Sequence, residues 1–208
     1  MVKIMQIPVG QMANFTYILA DEDNSEAAVI DPSWDLEKIF AAVKNNGLKV
    51  KYIINTHTHF DHILGNHEVA AVSGAKIIQH KDSTQPKDIP VEDGQIITLG
   101  KIMIRVIHTP GHSKDSISLV VNNKLVLTGD TLFIGNCGRV DLPGSDASEM
   151  YDSLFEKIAN LDESLIVYPG HNYGTTQTST VGQEKKTNYV LKPRSKDDFL
   201  RFMASADD

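Results

Sequence analysis

The sequence predicts an α/β protein with four layers, a sandwich in which two β-sheets pack face to face between two outer layers of helices. Three observations favour this fold class. Short apolar segments with strand character alternate with segments of helical spacing. The second half of the chain repeats the scheme of the first. In both halves, strands lead into short segments that carry His or Asp, which places polar side chains at strand ends.

Strand and helix signals alternate in the first half of the chain. Residues 16–20 are rich in β-branched and aromatic side chains, which are typical of strands. Apolar side chains recur at helical spacing from Leu36 to Val43, and Asn46-Gly47 is expected to end that helix. We therefore predict strands at residues 2–8, 16–20, 27–30, 52–54 and 76–79, one helix from near residue 33, and a second over residues 64–72.

The second half shows the same alternation. The Asn122-Asn123 pair is expected to form a tight turn between two strands. No linker rich in Pro, Gly or Ser separates the halves, so residues 1–208 are expected to form one domain. We predict strands at residues 96–99, 102–107, 117–121, 124–127 and 165–168, a helix at 146–159, and one or two helices from residue 180.

Composition and charge limit the partners and the cellular location that we expect for the protein. The chain has 27 acidic and 20 basic residues and a net charge of -7, whereas a nucleic-acid partner would require a basic surface. The single cysteine, Cys137, excludes an intramolecular disulfide. No apolar run approaches the length of a membrane span or a secretion signal. We therefore expect a cytoplasmic protein without a nucleic-acid or membrane partner, while its oligomeric state stays open.

Potential metal ligands are unusually dense in this chain. Residues 57–62, His-Thr-His-Phe-Asp-His, contain four of them, and three more follow next to glycines later in the sequence. Seven ligands are too many for one tetrahedral ion and fit two ions that share a carboxylate. The predicted metal ligands are His57, His59, Asp61, His62, His112, Asp130 and His171.

The spacing of the first four ligands has a structural meaning. Alternate side chains of an extended segment point the same way, so His57 and His59 can face one ion together. Phe60 is expected to point away and pack into the core, while a turn into a helix brings Asp61 and His62 toward a second ion. Imidazole and carboxylate ligands without thiolate suit zinc, manganese or iron, and two zinc ions are the first expectation.

These residues resemble the metallo-β-lactamase superfamily, in its H-x-H-x-D-H branch. The resemblance covers essentially the whole chain, since Gly111-His112, Gly129-Asp130 and Gly170-His171 match the later motifs in order. It implies one site of His57, His59 and His112, a second of Asp61, His62 and His171, and a bridging Asp130. Asp31 matches a position that supports the ligands without binding metal. Its alternative role is a turn carboxylate before the helix near Ser33.

Residues 129–139 are similar to glyoxalase II-like proteins and to persulfide dioxygenases. The first resemblance implies hydrolysis of a thioester by a hydroxide held between two metal ions. The ions would form this hydroxide by lowering the pKa of bound water to about 7. Asp61 and Asp130 would be the catalytic residues. The alternative resemblance implies a dioxygenase with one iron held by His57, His112 and Asp130, a set of two His and one carboxylate that suits oxygen activation. The hydrolase is the first expectation and the dioxygenase the second.

The resemblance also implies a small anionic substrate derived from a thiol. Two divalent ions, less two carboxylates and one hydroxide, leave a site charge of about +1. Arg139 is a candidate for binding a substrate carboxylate, because its guanidinium suits bidentate contacts. The alternative for Arg139 is an ion pair with Asp141 or Asp146. Tyr173 is a candidate for lining the substrate pocket.

The remaining histidines and the cysteine are predicted to lie outside the ligand set. His67 is expected on a helix surface, and His80 ends a strand with no partner visible in the sequence. His108 is expected either to form a hydrogen bond near the site or to pack structurally. Cys137 is expected to be a small packed residue, since no base accompanies it as a nucleophile would require.

Overall fold

Two six-stranded sheets lie at the centre of the protein, whose computed structural model describes residues 2–205. The strands of the first sheet are β1 (Val2–Val9), β2 (Asn14–Asp21), β3 (Glu26–Ile30), β4 (Lys49–Ile54), β5 (Lys76–His80) and β6 (Ile89–Val91). They are ordered as in the chain. β1, β2 and β3 pair antiparallel, whereas β3, β4, β5 and β6 run parallel.

The second sheet mixes antiparallel pairs with one parallel pair. Its strands are β7 (Ile96–Leu99), β8 (Ile102–His108), β9 (Ile117–Val121), β10 (Leu125–Gly129), β13 (Ile166–Pro169) and β14 (Ser179–Thr180), and a separate hairpin joins β11 (Leu132–Phe133) to β12 (Asn136–Cys137). The order is β14-β13-β10-β9-β8-β7. Because β10 and β13 are parallel neighbours, their carboxyl ends meet at one edge of the sheet.

Helices cover the outer faces of both sheets. They are α1 (Leu36–Asn45), α3 (Asn66–Ser73), α4 (Ala147–Tyr151), α5 (Val181–Thr187) and α6 (Lys196–Ser205), while the short helix α2 (Phe60–Ile63) lies in the segment that follows β4. After α4 the chain continues through a π-helical segment and a 3₁₀ turn, Asp152–Lys157 and Ile158–Asn160. Within residues 2–205, no helix combines the length and apolar character needed to cross a bilayer.

Alternating side chains divide the apolar interior into three layers. In β9, Ile117 and Leu119 point into the core between the sheets, whereas Val120 packs with the helices on the other face. On the outer side of the first sheet, Ile39 of α1 and Val69 of α3 are buried in a third cluster. The layers are therefore helices, sheet, sheet and helices, which confirms the predicted fold class.

The predicted turn at Asn122-Asn123 is confirmed. Their φ angles of 47° and 52° are the left-handed values that a two-residue hairpin turn requires. The predicted helix at residues 146–159 is divided into α, π and 3₁₀ segments. The strands β6, β11, β12 and β14 have two or three residues each and carry too little periodicity to be predicted.

The expectation that Phe60 packs into the core is wrong. Helix α2 begins at Phe60, so the extended alternation that would bury its ring ends at His59. The Phe60 side chain is 59% exposed and lies edge-on to Trp34, with ring centroids 6.3 Å apart. The ring therefore belongs to the surface beside the ligand-bearing segment.

The two sheets approach each other closely at Gly129, the last residue of β10. Its φ of 50° lies in the left-handed region, and a Cβ there would lie 2.7 Å from the Cβ of Thr56. Thr56 precedes His57 and Gly129 precedes Asp130. A residue without a side chain thus lets two ligand-bearing loops from different sheets come together.

The variant Gly129→Ala tests this close approach. The left-handed backbone should cost about 1–2 kcal/mol, and the contact with Thr56 should add about 1–3 kcal/mol of overpacking. The measurement is the free energy of unfolding in urea. Gly47→Ala is the matched control, since its φ is 61° and no atom lies within 4 Å of the added Cβ. Equal losses in the two variants would show that the contact with Thr56 does not matter.

Candidate metal centre

The seven predicted ligands converge on one place between the two sheets. His57, His59, Asp61 and His62 follow β4 and enter α2, as the chain leaves the first sheet. The other three come from the second sheet: His112 lies in the loop between β8 and β9, Asp130 follows β10, and His171 follows β13. All are buried except His59, which is half-buried. Residues more than 100 positions apart therefore meet at strand ends.

His57, His59 and His112 form the first group of ligand atoms. One ring nitrogen from each lies within 4.8 Å of the others. The Nδ1 atom of His59 is 2.9 Å from Nε2 of His112. This is the set that the resemblance to the metallo-β-lactamase superfamily implies for one ion.

Asp61, His62 and His171 form the second group. Their ligand atoms also lie within 4.8 Å of one another. The two Nε2 atoms of His62 and His171 are 3.2 Å apart, and Oδ2 of Asp61 lies 3.4 Å from the first and 3.5 Å from the second. This group matches the set predicted for the other ion.

Asp130 lies between the two groups. Its Oδ2 is 3.6 Å from Nε2 of His112 and 3.2 Å from Nε2 of His171. Its Oδ1 is 3.4 Å from Nε2 of His62. The Asp130 carboxylate thus lies within 3.6 Å of ring nitrogens from both groups, which is the position that a bridging ligand requires.

Contacts on the outer side of the rings set which nitrogen carries the proton. His112 donates its Nδ1–H to the Arg139 carbonyl at 2.9 Å, and His171 donates its Nδ1–H to the Met12 carbonyl at 2.9 Å. Nδ1 of His62 faces the Asp31 carboxylate at 3.1 Å. Each ring therefore directs its Nε2 inward, the arrangement that usually orients metal-binding histidines.

The converging atoms fit divalent metal ions. Nε2 of His57 and Oδ1 of Asp130 are buried and have no hydrogen-bond partner. Two unprotonated nitrogens facing each other at 3.2 Å repel unless a cation lies near them. One proton could satisfy one such contact, but several inward nitrogens and two carboxylates remain. Imidazole and carboxylate ligands together suit zinc, iron or manganese.

The electrostatics of the cluster show the same need for positive charge. Burial opposes ionisation of Asp130, yet His62 and His171 hold the pKa of its carboxyl well below the usual range. Burial also opposes protonation of His62, but Asp130 and Asp31 raise the pKa of its imidazole to about 9. For His57, burial is the largest effect, and it lowers the pKa of the imidazole well below its ordinary value. Bound cations would supply the charge that protons otherwise provide.

Supporting side chains that the sequence did not reveal hold Asp61 in place. Asn14 donates from Nδ2 to Oδ2 of Asp61 at 3.0 Å, and Ser33 donates its hydroxyl to the Asp61 carbonyl at 2.6 Å. Asp31 accepts from the Thr56 hydroxyl at 2.6 Å and contacts His62, so it lies behind the ligands. No local pattern marks Asn14 or Ser33, because both contacts depend on tertiary packing.

A cavity of about 550 Å³ opens onto the cluster and can admit a small molecule. Tyr173 lines it, with its ring stacked on His171 at 4.8 Å. Arg139 lines it too, and its Nε donates to Asp141 at 2.7 Å, which is the ion pair proposed as its alternative role. The rest of the wall combines ligands with mainly apolar side chains: Met12, His59, Phe60, Asp61, His112, Asp130, Phe133, Leu142, Pro143 and His171.

Residues outside the ligand set also have defined places. Cys137 is buried, and burial raises the pKa of its thiol to about 12, so it packs as a small apolar residue. His67 is exposed on α3. His108 donates from Nε2 to the Lys114 carbonyl at 2.8 Å. His80 stacks on His108, a partner that the sequence did not indicate.

Comparison with known proteins assigns the fold and site to a family. A family model described as metallo-beta-lactamase superfamily matches residues 9–84 and 79–171, which include every predicted ligand. The chain therefore belongs to the metallo-β-lactamase superfamily, a family of metal-binding enzymes.

The relatives of this chain include members of two enzyme groups that bear on its function. The human protein named mitochondrial persulfide dioxygenase ETHE1 is 34% identical over 197 residues, which are 92% of this chain and 76% of that protein. A cytoplasmic hydroxyacylglutathione hydrolase of Arabidopsis thaliana is 38% identical over 183 residues, which are 82% of this chain and 68% of that protein. The crystal structure of ETHE1 from Myxococcus xanthus has a TM-score of 0.94 at 28% identity and covers 99% of this chain and 92% of its own.

The variant Asp130→Ala tests the central position of this carboxylate. Because Asp130 lies between both groups, its loss should lower metal affinity by on the order of 100-fold or more. The measurement is metal content per chain after dialysis, with circular dichroism to check the fold. Asp197→Ala, an exposed aspartate of α6, is the control. Full metal retention by Asp130→Ala would refute the bridging role.

Proposed function

We propose that the protein is a persulfide dioxygenase with one iron held by His57, His112 and Asp130. Two imidazoles and one carboxylate with open positions form the ligand set typical of ferrous oxygenases. Iron in that set would supply oxygen activation. Both orphaned buried atoms of the cluster, Nε2 of His57 and Oδ1 of Asp130, belong to these three residues.

One observation carries the choice between the two enzyme groups. The likeness to persulfide dioxygenases extends over nearly the whole chain, in sequence with the human relative and in structure with the bacterial one. The plant hydrolase is more identical where it aligns, but it aligns over less of both chains.

The proposed reaction adds both atoms of dioxygen to the terminal sulfur of a persulfide, R–S–S⁻ + O₂ → R–S–SO₂⁻. The persulfide is already an anion, so the positive charge that the cluster attracts would draw it in. Phe133 and Tyr173 form an apolar wall beside His171 that can exclude water from the sulfur. Among the described residues, Arg139 is the one Lys or Arg that lines the cavity. A cavity with one cationic side chain favours a persulfide whose R group is small and carries few negative charges.

Thioester hydrolysis is the second candidate, and the second ligand group favours it. Asp61, His62 and His171 are close enough to hold another ion beside the first. Two ions would supply Lewis acidity and an activated water for attack on an acyl carbon. Asp61, fixed by Asn14 and Ser33, would then orient the attacking water. The hydroxyacylglutathione hydrolase relatives support this alternative.

The two functions are separated by paired assays of the iron-loaded and zinc-loaded protein. We expect the iron form to consume one O₂ per persulfide and the zinc form to consume none. His112→Ala should lower the rate by on the order of 100-fold or more, because it removes a ligand of the reacting metal. Asp61→Asn should lower it less than about 10-fold, since Asp61 lies in the other group.

The opposite pattern would overturn the proposal. Rapid hydrolysis of an acylated thiol by the zinc form, lost in Asp61→Asn, with no oxygen uptake by the iron form, would identify a hydrolase. Lys185→Ala is a control for both assays, since Lys185 pairs with Glu163 on the surface away from the cavity lining.

A further inference from the structure

Thr58 lies between two ligands of the metal centre, and its side chain contacts a loop of the second sheet. The backbone at the next residue, His59, is extended, with φ of -63° and ψ of 149°. Neighbouring side chains of an extended segment point to opposite sides, so the Thr58 hydroxyl is directed away from the ligand cluster. It donates a hydrogen bond to Oδ2 of Asp115. Asp115 follows His112 by three residues in the loop between β8 and β9, so the bond joins the two ligand-bearing segments.

The Asp115 carboxylate is buried, with 7% of the residue exposed. Buried carboxylate oxygens require hydrogen-bond donors, and here each oxygen accepts from one hydroxyl. Ser113 donates to Oδ1 at 2.7 Å, and Thr58 donates to Oδ2. Because Ser113 belongs to the same loop, its bond fixes the carboxylate within that loop. The Thr58 bond then connects the fixed carboxylate to the segment that follows β4.

A backbone hydrogen bond joins the same two segments on the other side of His57. The N–H of Ile117, at the start of β9, donates to the Thr56 carbonyl at 2.7 Å. Bonds to the second sheet therefore flank His57 at the residue before it and at the residue after it. The bond at Thr56 uses backbone atoms alone, whereas the bond at Thr58 depends on its hydroxyl and on Asp115.

His59 is the ligand whose ring most needs support from its backbone. The rings of His112 and His171 are oriented by backbone carbonyls on their outer sides. Among the described residues, the His59 ring forms no hydrogen bond to a group outside the ligand cluster, and its Nδ1 faces Nε2 of His112 at 2.9 Å. An outer partner usually orients a metal-binding histidine. The position of the His59 ring therefore depends on how firmly its backbone is held.

We propose that Asp115 is a positioning residue of the metal centre and acts through the Thr58 hydroxyl. By accepting this hydrogen bond, Asp115 fixes the backbone of His57 and His59 relative to the loop that carries His112, whose ring centroid lies 5.0 Å and 4.6 Å from theirs. Loss of the bond lets the two segments separate and weakens metal binding. His57 and His112 are ligands in both candidate functions, so the proposal does not depend on which reaction the centre catalyses.

Competition for Zn²⁺ between the metal-depleted protein and a chromophoric chelator tests this role. Thr58→Val keeps the shape of the side chain and removes the hydroxyl, so the affinity for at least one Zn²⁺ equivalent should fall about 10-fold, as for other contacts that support metal ligands. Asp115→Ala should cause a similar loss. The double variant should bind Zn²⁺ no more weakly than Asp115→Ala alone, because both substitutions remove the same bond.

Thr58→Ser keeps the hydroxyl and should retain the wild-type affinity. Ser73→Ala is the matched control, because it removes a hydroxyl that donates to the Val69 carbonyl at 2.6 Å within α3. If the Thr58 hydroxyl only stabilises the fold, Thr58→Val will lower the free energy of unfolding of the metal-free protein and leave the affinity for every Zn²⁺ equivalent unchanged. That result would refute the proposal, as would equal losses of affinity in Thr58→Ser and Thr58→Val.

Discussion

The structure depends on one electrostatic constraint, the convergence of unprotonated imidazole nitrogens and two buried carboxylates at a single point between the sheets. The outer nitrogens of His62, His112 and His171 are bound by Asp31, the Arg139 carbonyl and the Met12 carbonyl. Their inner nitrogens therefore repel one another unless positive charge lies among them. The carboxylates of Asp130 and Asp31 create the same demand for positive charge, and they raise the pKa of the His62 imidazole. Metal ions bound between these groups would supply the positive charge without protonation of the imidazoles.

The fold holds these groups together by close backbone approach at glycines. Gly129 lets the end of β10 lie against Thr56, and a Cβ at Gly170 would lie 3.1 Å from the Gly129 carbonyl and would also meet Asp130. Loops from two sheets and from strands distant in sequence can then supply ligands to one site. Since the core between the sheets fixes the strand ends, the ligand positions are set by packing that extends through the whole molecule.

Local sequence patterns predicted the four-layer fold. They also identified as metal ligands the seven residues that the structure places in one cluster. They succeeded because strand alternation, turn residues such as Asn122 and Asn123, and ligand spacing are short-range properties. They failed for Phe60, whose direction depends on the residue at which α2 begins. They could not reveal Asn14 behind Asp61 or the stacking of His80 on His108, because both contacts join segments far apart in the chain.

Anomalous diffraction from crystals of the iron-loaded protein tests the central claim most directly. The account predicts an iron peak bounded by His57, His112 and Asp130, with metal–ligand distances of about 2.0–2.2 Å, the usual range for nitrogen and oxygen ligands of such metals. Binding of iron elsewhere, with these three side chains left without a metal between them, would contradict it.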